Sequence, residues 1–354
     1  MALRRLWVQV PSGPQDLTEV RPLILFMQEK KIVVIGVGGR TGTMFAFELG
    51  KVADVLGVGK EIEQIKKEKL FVKRKERAPL VFREQVITAS QFPDKTAPEI
   101  IFLATKNPVG PALKHYYQKI KERRLPPPTL VLSQNGIAAI KDALKTLKEV
   151  FGKDSDKVRV ARLVLFNPID RKEIKGSTDI IYSLPIRVAF GKISGPGNLQ
   201  NITFLFKKSR FVTKEFLPEE IQDMEFSKLF LNLMGMASAT RELSVSQGFQ
   251  NPETLEEEIG VLKEYIRVVQ ASGGKFLNFP WCPVKFITFF IKVLPIKIFL
   301  PLRKYLSRLI SEGREGKPKD LAEIKYYNGA VVNLGKKIGI STPINQKVLG
   351  RALK

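Results

Sequence analysis

The stretch Ile35-Gly36-Val37-Gly38-Gly39-Arg40-Thr41-Gly42 constrains the fold more than any other, because it joins a β-branched run to a helical one through glycines. The preceding Lys31-Ile32-Val33-Val34-Ile35 has the composition of a strand covered on both faces. The following Thr43-Met44-Phe45-Ala46-Phe47-Glu48-Leu49 reads as a helix. Glycines at such a junction let the backbone turn tightly and let a pyrophosphate approach the free N–H groups of the helix start. The G-x-G-x-x-G spacing expects its third glycine at position 41; Thr41 stands there, and Gly42 follows. Taken alone, the loop is equally a glycine-rich turn that holds nothing.

Beyond the loop the pattern alternates. Residues 52–59, 100–105 and 129–133 read as strands, and 61–69, 110–122 and 137–150 as helices. Segments 159–166, 179–190 and 202–206 look like further strands. Such alternation gives a parallel sheet with helices on both faces and ligands at the carboxyl ends of its strands. From Leu217 onward the chain turns to helical stretches over 218–240, 253–272, 284–312 and 319–338, with no convincing strand. The expected class is α/β, with a doubly wound N-terminal domain over 27–216 and an all-helical domain over 217–354. Residues 1–26 read as a non-structural extension: Gln9, Pro11 and Pro14 break any apolar signal core, and Met27 is the expected start.

Composition narrows the chemistry. With 354 residues, two separate cores are affordable. Cys282 and His115 are the single Cys and the single His, which excludes an internal disulfide and thiolate clusters and, with no ligand pattern around His115, makes multi-His metal sites and Ser/His/Asp catalysis hard to build. Proton transfer therefore falls to Lys, Glu, Asp or Tyr. Cysteine usage suits a reducing compartment, and a cytoplasmic location is expected. A net charge of +24 attracts small anions or headgroups. No zinc-finger or ribonucleoprotein pattern accompanies it, so nucleic acid is not expected. Residues 276–306 are strongly apolar but interrupted by Lys285, Lys292, Lys297 and four prolines, too broken to cross a bilayer. A core helix is the expected reading and an interfacial helix with snorkelling lysines its rival.

Several polar residues fall at ligand-facing positions. The second strand ends Gly59-Lys60 and the third Thr105-Lys106, placing cations where a 2′-phosphate would lie; each lysine alone is otherwise surface decoration. Ser133-Gln134-Asn135-Gly136 ends another strand, as a turn or as a site for the Asn135 amide. Lys228 and Asn232 are four apart and share a helix face, which in the plainer reading faces solvent. Glu323 opens the run Glu323-Ile324-Lys325-Tyr326-Tyr327-Asn328-Gly329, where an acid also suits a first helical turn.

Taken in order over residues 31–346, these segments resemble the ketopantoate reductases (2-dehydropantoate 2-reductases) and their wider group. The resemblance implies a Rossmann-type domain that binds NADPH and a helical substrate domain. It implies reduction of a 2-oxo acid to a 2-hydroxy acid, in first place ketopantoate to pantoate in pantothenate biosynthesis. It makes Lys228 the general acid and Asn135, Asn232, Glu323 and, more weakly, Ser311 the substrate contacts. The cofactor would lie against Gly36, Gly38, Gly39, Thr41, Gly42, Lys60, Lys106 and Asn135. Met236 stands where the family carries a second Asn, which points to a less polar substrate. The alternatives are a relative reducing another 2-oxo acid, and a non-catalytic nucleotide-binding or membrane-surface protein. Peripheral membrane contact through 276–306 and a homodimer are compatible with the sequence.

Overall fold

A computed structural model describes residues 32–59, 69–74, 78–82, 85–92, 97–174, 177–311 and 316–354. Lys60, singled out above, lies outside them, as do the side chain of Ser311 and residues 61–68 of the helix expected over 61–69, whose last residue, Lys69, opens a strand instead. Among the described residues twelve strands form two sheets. The larger has the order β12-β11-β8-β7-β6-β1-β2-β5. Its centre is β1 (Ile32–Ile35), paired in parallel with β2 (Val55–Gly59) on one side and β6 (Ile100–Leu103) on the other. Parallel pairing continues through β7 (Thr129–Leu132) to β8 (Val160–Leu165), and from β2 to β5 (Gln85–Thr88). All four residues of β1, β6 and β7 are buried, as their apolar runs require for strands covered on both faces. The chain leaves β1 in opposite directions to β2 and β6, so the loops after β1 and β6 diverge at a topological switch point.

Helix α1 (Arg40–Leu49) and the helix Gln200–Lys208 cover one face of this sheet. Helices Gly110–Glu122 and Ala138–Phe151 cover the other. The sheet ends with β11 (Arg187–Ser194), antiparallel to β8 and parallel to β12 (Val212–Phe216).

Three sequence expectations are corrected here. Residues 202–206 are helical, because Ile202, Leu205 and Phe206 recur at helical spacing and bury against the sheet; their β-branched and aromatic composition suggested a strand. The strand expected over 179–190 is two, β10 (Ser177–Tyr182) and β11, separated by a turn at Leu184-Pro185. A four-stranded sheet, β4-β3-β10-β9, was not anticipated. It is built from β3 (Lys69–Arg74), β4 (Leu80–Val81), β9 (Ile169–Ile174) and β10, and it packs on the outer side of α1. There Glu48 of α1 accepts from Arg74 at 3.0 Å and from the Tyr182 hydroxyl, tying helix to sheet.

From Pro218 onward the described chain is helical. Helix Pro252–Ala271 is its axis, surrounded by Ile221–Leu233, Val245–Gln250, Asn328–Lys337 and Pro343–Ala352. Two buried acids on the axis anchor neighbouring helix starts. Glu258 accepts from the N–H groups of Gly235 and Ser238, and Glu264 from those of Ile344 and Asn345. The long helix expected over 218–240 breaks at Gly235, whose φ of +86° is left-handed. That over 284–312 breaks into Val284–Val293, Ile296–Phe299 and Arg303–Ser311, since Pro295 and Pro301 supply no N–H. The core reading of this segment holds for one face only: Val284, Ile291 and Phe299 are buried, while Phe286, Phe289 and Ile298 are exposed.

Candidate active site

A cleft of about 880 Å³ lies between the carboxyl ends of the central strands and the helical region. The strand side supplies Gly39, Arg40 and Thr41 after β1, Thr105 and Lys106 after β6, Gln134 and Asn135 after β7, and Phe166 and Asn167 after β8. The helical side supplies Lys228 and Asn232 from one turn of Ile221–Leu233, with Lys319, Asp320, Glu323 and Tyr327.

The glycine loop is a tight cradle. Gly36 and Gly38 have φ of +102° and +97°, which L-residues rarely adopt. A Cβ on Gly42 would lie 2.3 Å from the Gly36 carbonyl oxygen. The displaced third glycine therefore performs the close helix–strand packing expected one position earlier. Helix α1 starts at Arg40 with no side-chain cap and no acid in its first turn. Its first N–H groups have no partner within the helix and favour an anion.

Asn135 and Glu323 meet across the cleft. The Asn135 amide donates to Glu323 Oε2 at 3.0 Å, and the Tyr327 hydroxyl donates to the same oxygen at 2.7 Å. Burial and the Glu323 charge push the Tyr327 hydroxyl far above its ordinary range, so it remains a donor. The Asn107 amide in turn donates to the Asn135 carbonyl at 2.7 Å.

Lys228 stands with its Nζ 4.5 Å from the centroid of the Phe166 ring. One turn on, Asn232 is held by Lys319, whose Nζ donates to the Asn232 and Met234 carbonyls at 2.8 and 2.9 Å. Beneath them Arg162 is completely buried on β8. It donates to the Leu132, Leu163 and Gln134 carbonyls, and its Nε pairs with Glu225 Oε1 at 2.6 Å. Burial raises the Glu225 carboxyl pKa, against the pull of Arg162 and Lys228. Arg162 thus braces the end of β7 against the helix that carries Lys228.

Three residues of the cleft lining carry a buried polar atom that has no partner among the described residues: Thr105 Oγ1, Gln134 Oε1 and Asn232 Nδ2. Unsatisfied groups at such depth are costly unless a ligand or water pairs them. Together with the glycine cradle and the uncapped helix start, they fit a bound dinucleotide and a polar substrate. Seven basic side chains against four acidic ones line the cleft, which favours anions.

The cleft thus brings together Gly39, Thr41, Lys106, Asn135, Lys228, Asn232 and Glu323. Gly36, Gly38 and Gly42 shape the loop behind it. Met236 is fully buried in the helical core, past the break at Gly235, so its apolar character says nothing of substrate polarity. Residues not anticipated are Arg40, Arg171, Lys319 and Tyr327. Arg40 pairs with Asp320 at 3.1 Å, and Arg171 of β9 donates to the Gly38 carbonyl at 2.9 Å. No spacing in the sequence announces these contacts, since their partners are 280 and 133 residues away.

Residues 220–352 match the family model described as the ketopantoate reductase PanE/ApbA C terminal. That match covers the helical region of the chain. It is 25% identical over 253 residues to the 2-dehydropantoate 2-reductase of Aquifex aeolicus, covering 65% of this chain and 77% of that protein. The structure of 2-dehydropantoate 2-reductase from Methylococcus capsulatus superposes with a TM-score of 0.61 at 16% identity, covering 90% of this chain and 94% of that one. A D-mandelate dehydrogenase with NADH and anilino(oxo)acetate gives a TM-score of 0.65 at 14% identity, over 91% and 97% of the two chains. At these identities the structural likenesses concern the fold.

Proposed function

We propose that this chain is a nicotinamide-dependent oxidoreductase that reduces the carbonyl of a small 2-oxo acid, with NADPH as donor and ketopantoate as the leading substrate. The observation that carries this reading is the placement of Lys228 and Asn232 on one helix turn, across the cleft from the glycine loop and the unpartnered Thr105 and Gln134 atoms. Oxidoreductase chemistry is shared by the relatives whose names are given above, and the substrate is the finer part of the proposal.

The cofactor, when bound, supplies the hydride. The rest is the work of this chain's residues. The first turn of α1 and its glycines hold the pyrophosphate, and Lys106, with Lys60, holds the phosphate that distinguishes NADPH. The Lys228 ammonium hydrogen-bonds the substrate carbonyl oxygen, offsets the developing negative charge and donates the proton. Phe166 walls the ammonium on one side and limits its contact with water. Asn232 Nδ2, unpartnered and buried, is a donor for the substrate carboxylate. Glu323, fixed by Asn135 and Tyr327, is the acceptor for a substrate hydroxyl.

A second reading has one observation in its favour. Phe166, which lines the cleft, is backed by Phe279 and Trp281 at ring distances of 4.5 and 4.9 Å in tilted and edge-on contact, an aromatic surface suited to an aryl 2-oxo acid. NADPH and NADH oxidation measured with ketopantoate and with benzoylformate separates the two. Ketopantoate with NADPH is expected to give the highest kcat/KM. A preference for benzoylformate would move the assignment to the second reading, and no turnover with either would sink both.

A further inference from the structure

Helices Val284–Val293 and Arg303–Ser311 carry apolar side chains on their outer faces as well as on the faces packed against the core. The first buries Val284, Thr288 and Ile291, while Phe286 and Phe289 on its outer side are 63% and 58% exposed. The second packs Leu306 and Ile310 on the core beside Ser307, whose hydroxyl meets that of Ser246 at 2.8 Å, and leaves Tyr305 and Leu309, with Leu302 just before the helix, in solvent. A surface helix of a protein surrounded only by water keeps its outer face polar. Half of the sixteen strongly exposed large apolar side chains among the described residues fall between Phe286 and Leu309. Clustering on that scale marks an interaction surface rather than scattered exposure.

Charge selects the partner. Residues 276–311 contain six Lys or Arg and no Asp or Glu. Lys285, Lys292 and Lys297 are all exposed beside the apolar ridge. No helix among the described residues is long and apolar enough to cross a membrane. We propose that the face formed by residues 284–311 seats this protein peripherally on a lipid surface bearing anionic headgroups. The phenylalanines and leucines enter the headgroup–acyl boundary, and the lysines extend to the phosphates. A second copy of the chain is the poorer occupant, because a two-fold contact would bring two such wholly cationic faces together. The proposal stands independently of the reductase assignment.

Sedimentation of the full chain with phosphatidylcholine vesicles, with and without phosphatidylglycerol, tests it. Binding is expected with phosphatidylglycerol at low salt, weaker with phosphatidylcholine alone and weaker at high salt. The F286D/F289D variant should lose about tenfold or more in partitioning while its melting curve and NADPH binding match the parent. Absence of vesicle binding at low salt, or undiminished binding by the folded variant, would overturn the proposal. So would a dimer abolished by F286D/F289D in a protein that ignores vesicles.

Discussion

Asn135 and Glu323 are 188 residues apart in the chain and 3.0 Å apart in the structure, one on the sheet side of the cleft and one on the helical side. Their hydrogen bond ties the two sides of the cleft together within the lining that also holds Lys228. Replacing either by Ala should lower kcat/KM by about 10- to 100-fold, the loss expected from slight misplacement of a reacting group. Because the two act through one contact, the double variant should be little worse than the poorer single variant. Additive losses in steady-state kinetics would show that they act separately.

Arg162 is a structural brace whose removal takes from the buried Glu225 the ion-pair partner that offsets its burial. Arg162→Leu should cost about 3–5 kcal/mol in urea unfolding. Adding Glu225→Leu should recover much of that loss, since an apolar pair is tolerated where a lone charge is not. Failure of the second substitution to recover stability would place the cost in the lost carbonyl contacts instead.

Gly42 admits no side chain, because its Cβ would sit 2.3 Å from the Gly36 oxygen. Gly42→Ala must push the start of α1 from β1 and deform the cradle. NADPH affinity should fall by about tenfold or more, with helix content by circular dichroism nearly unchanged. Unchanged affinity in a fluorescence titration would mean that the cofactor does not use this loop.

Glu257 fastens the C-terminal helix Pro343–Ala352 to the axis helix. Its Oε2 lies 2.6 Å from Arg351 Nη2 and 3.2 Å from Arg241 Nε. Burial opposes its charge, yet Arg351 and Arg241 together hold the carboxyl below its ordinary value of 4.5. A depressed folded value means that this contribution is complete above that ordinary value and is lost as pH falls through the lower one. Glu257→Gln should therefore reduce stability near neutrality and flatten the decline on acidification. Chemical denaturation at a series of pH values reads both.

Much of the doubly wound half is legible in the residues themselves. Ile32-Val33-Val34-Ile35 and Ile100-Ile101-Phe102-Leu103 are apolar throughout because both faces of their strands are covered. The four-stranded sheet is illegible for the opposite reason. Its strands include Lys69–Arg74 and Ile169–Ile174, rich in charge, and β3 finds its partner β10 about a hundred residues later. In Gln200–Lys208 tertiary packing overrides a local preference that Ile202, Thr203 and Phe204 express for strand. Within the cleft, Lys228 and Asn232 are legible because one helix carries both at a fixed spacing. Lys319 and Arg171 are not, because each acts on a backbone carbonyl that only the folded chain brings near.

In the proposed reaction Lys228 delivers the proton in an NADPH-dependent reduction of a 2-oxo acid. The most direct measurement is ketopantoate-dependent NADPH oxidation by the parent and by Lys228→Ala, with NADPH affinity measured on both. The account predicts steady turnover by the parent, a loss of about 10²- to 10⁴-fold in kcat for the variant, and nearly equal NADPH affinity. Near-normal turnover by Lys228→Ala would contradict it.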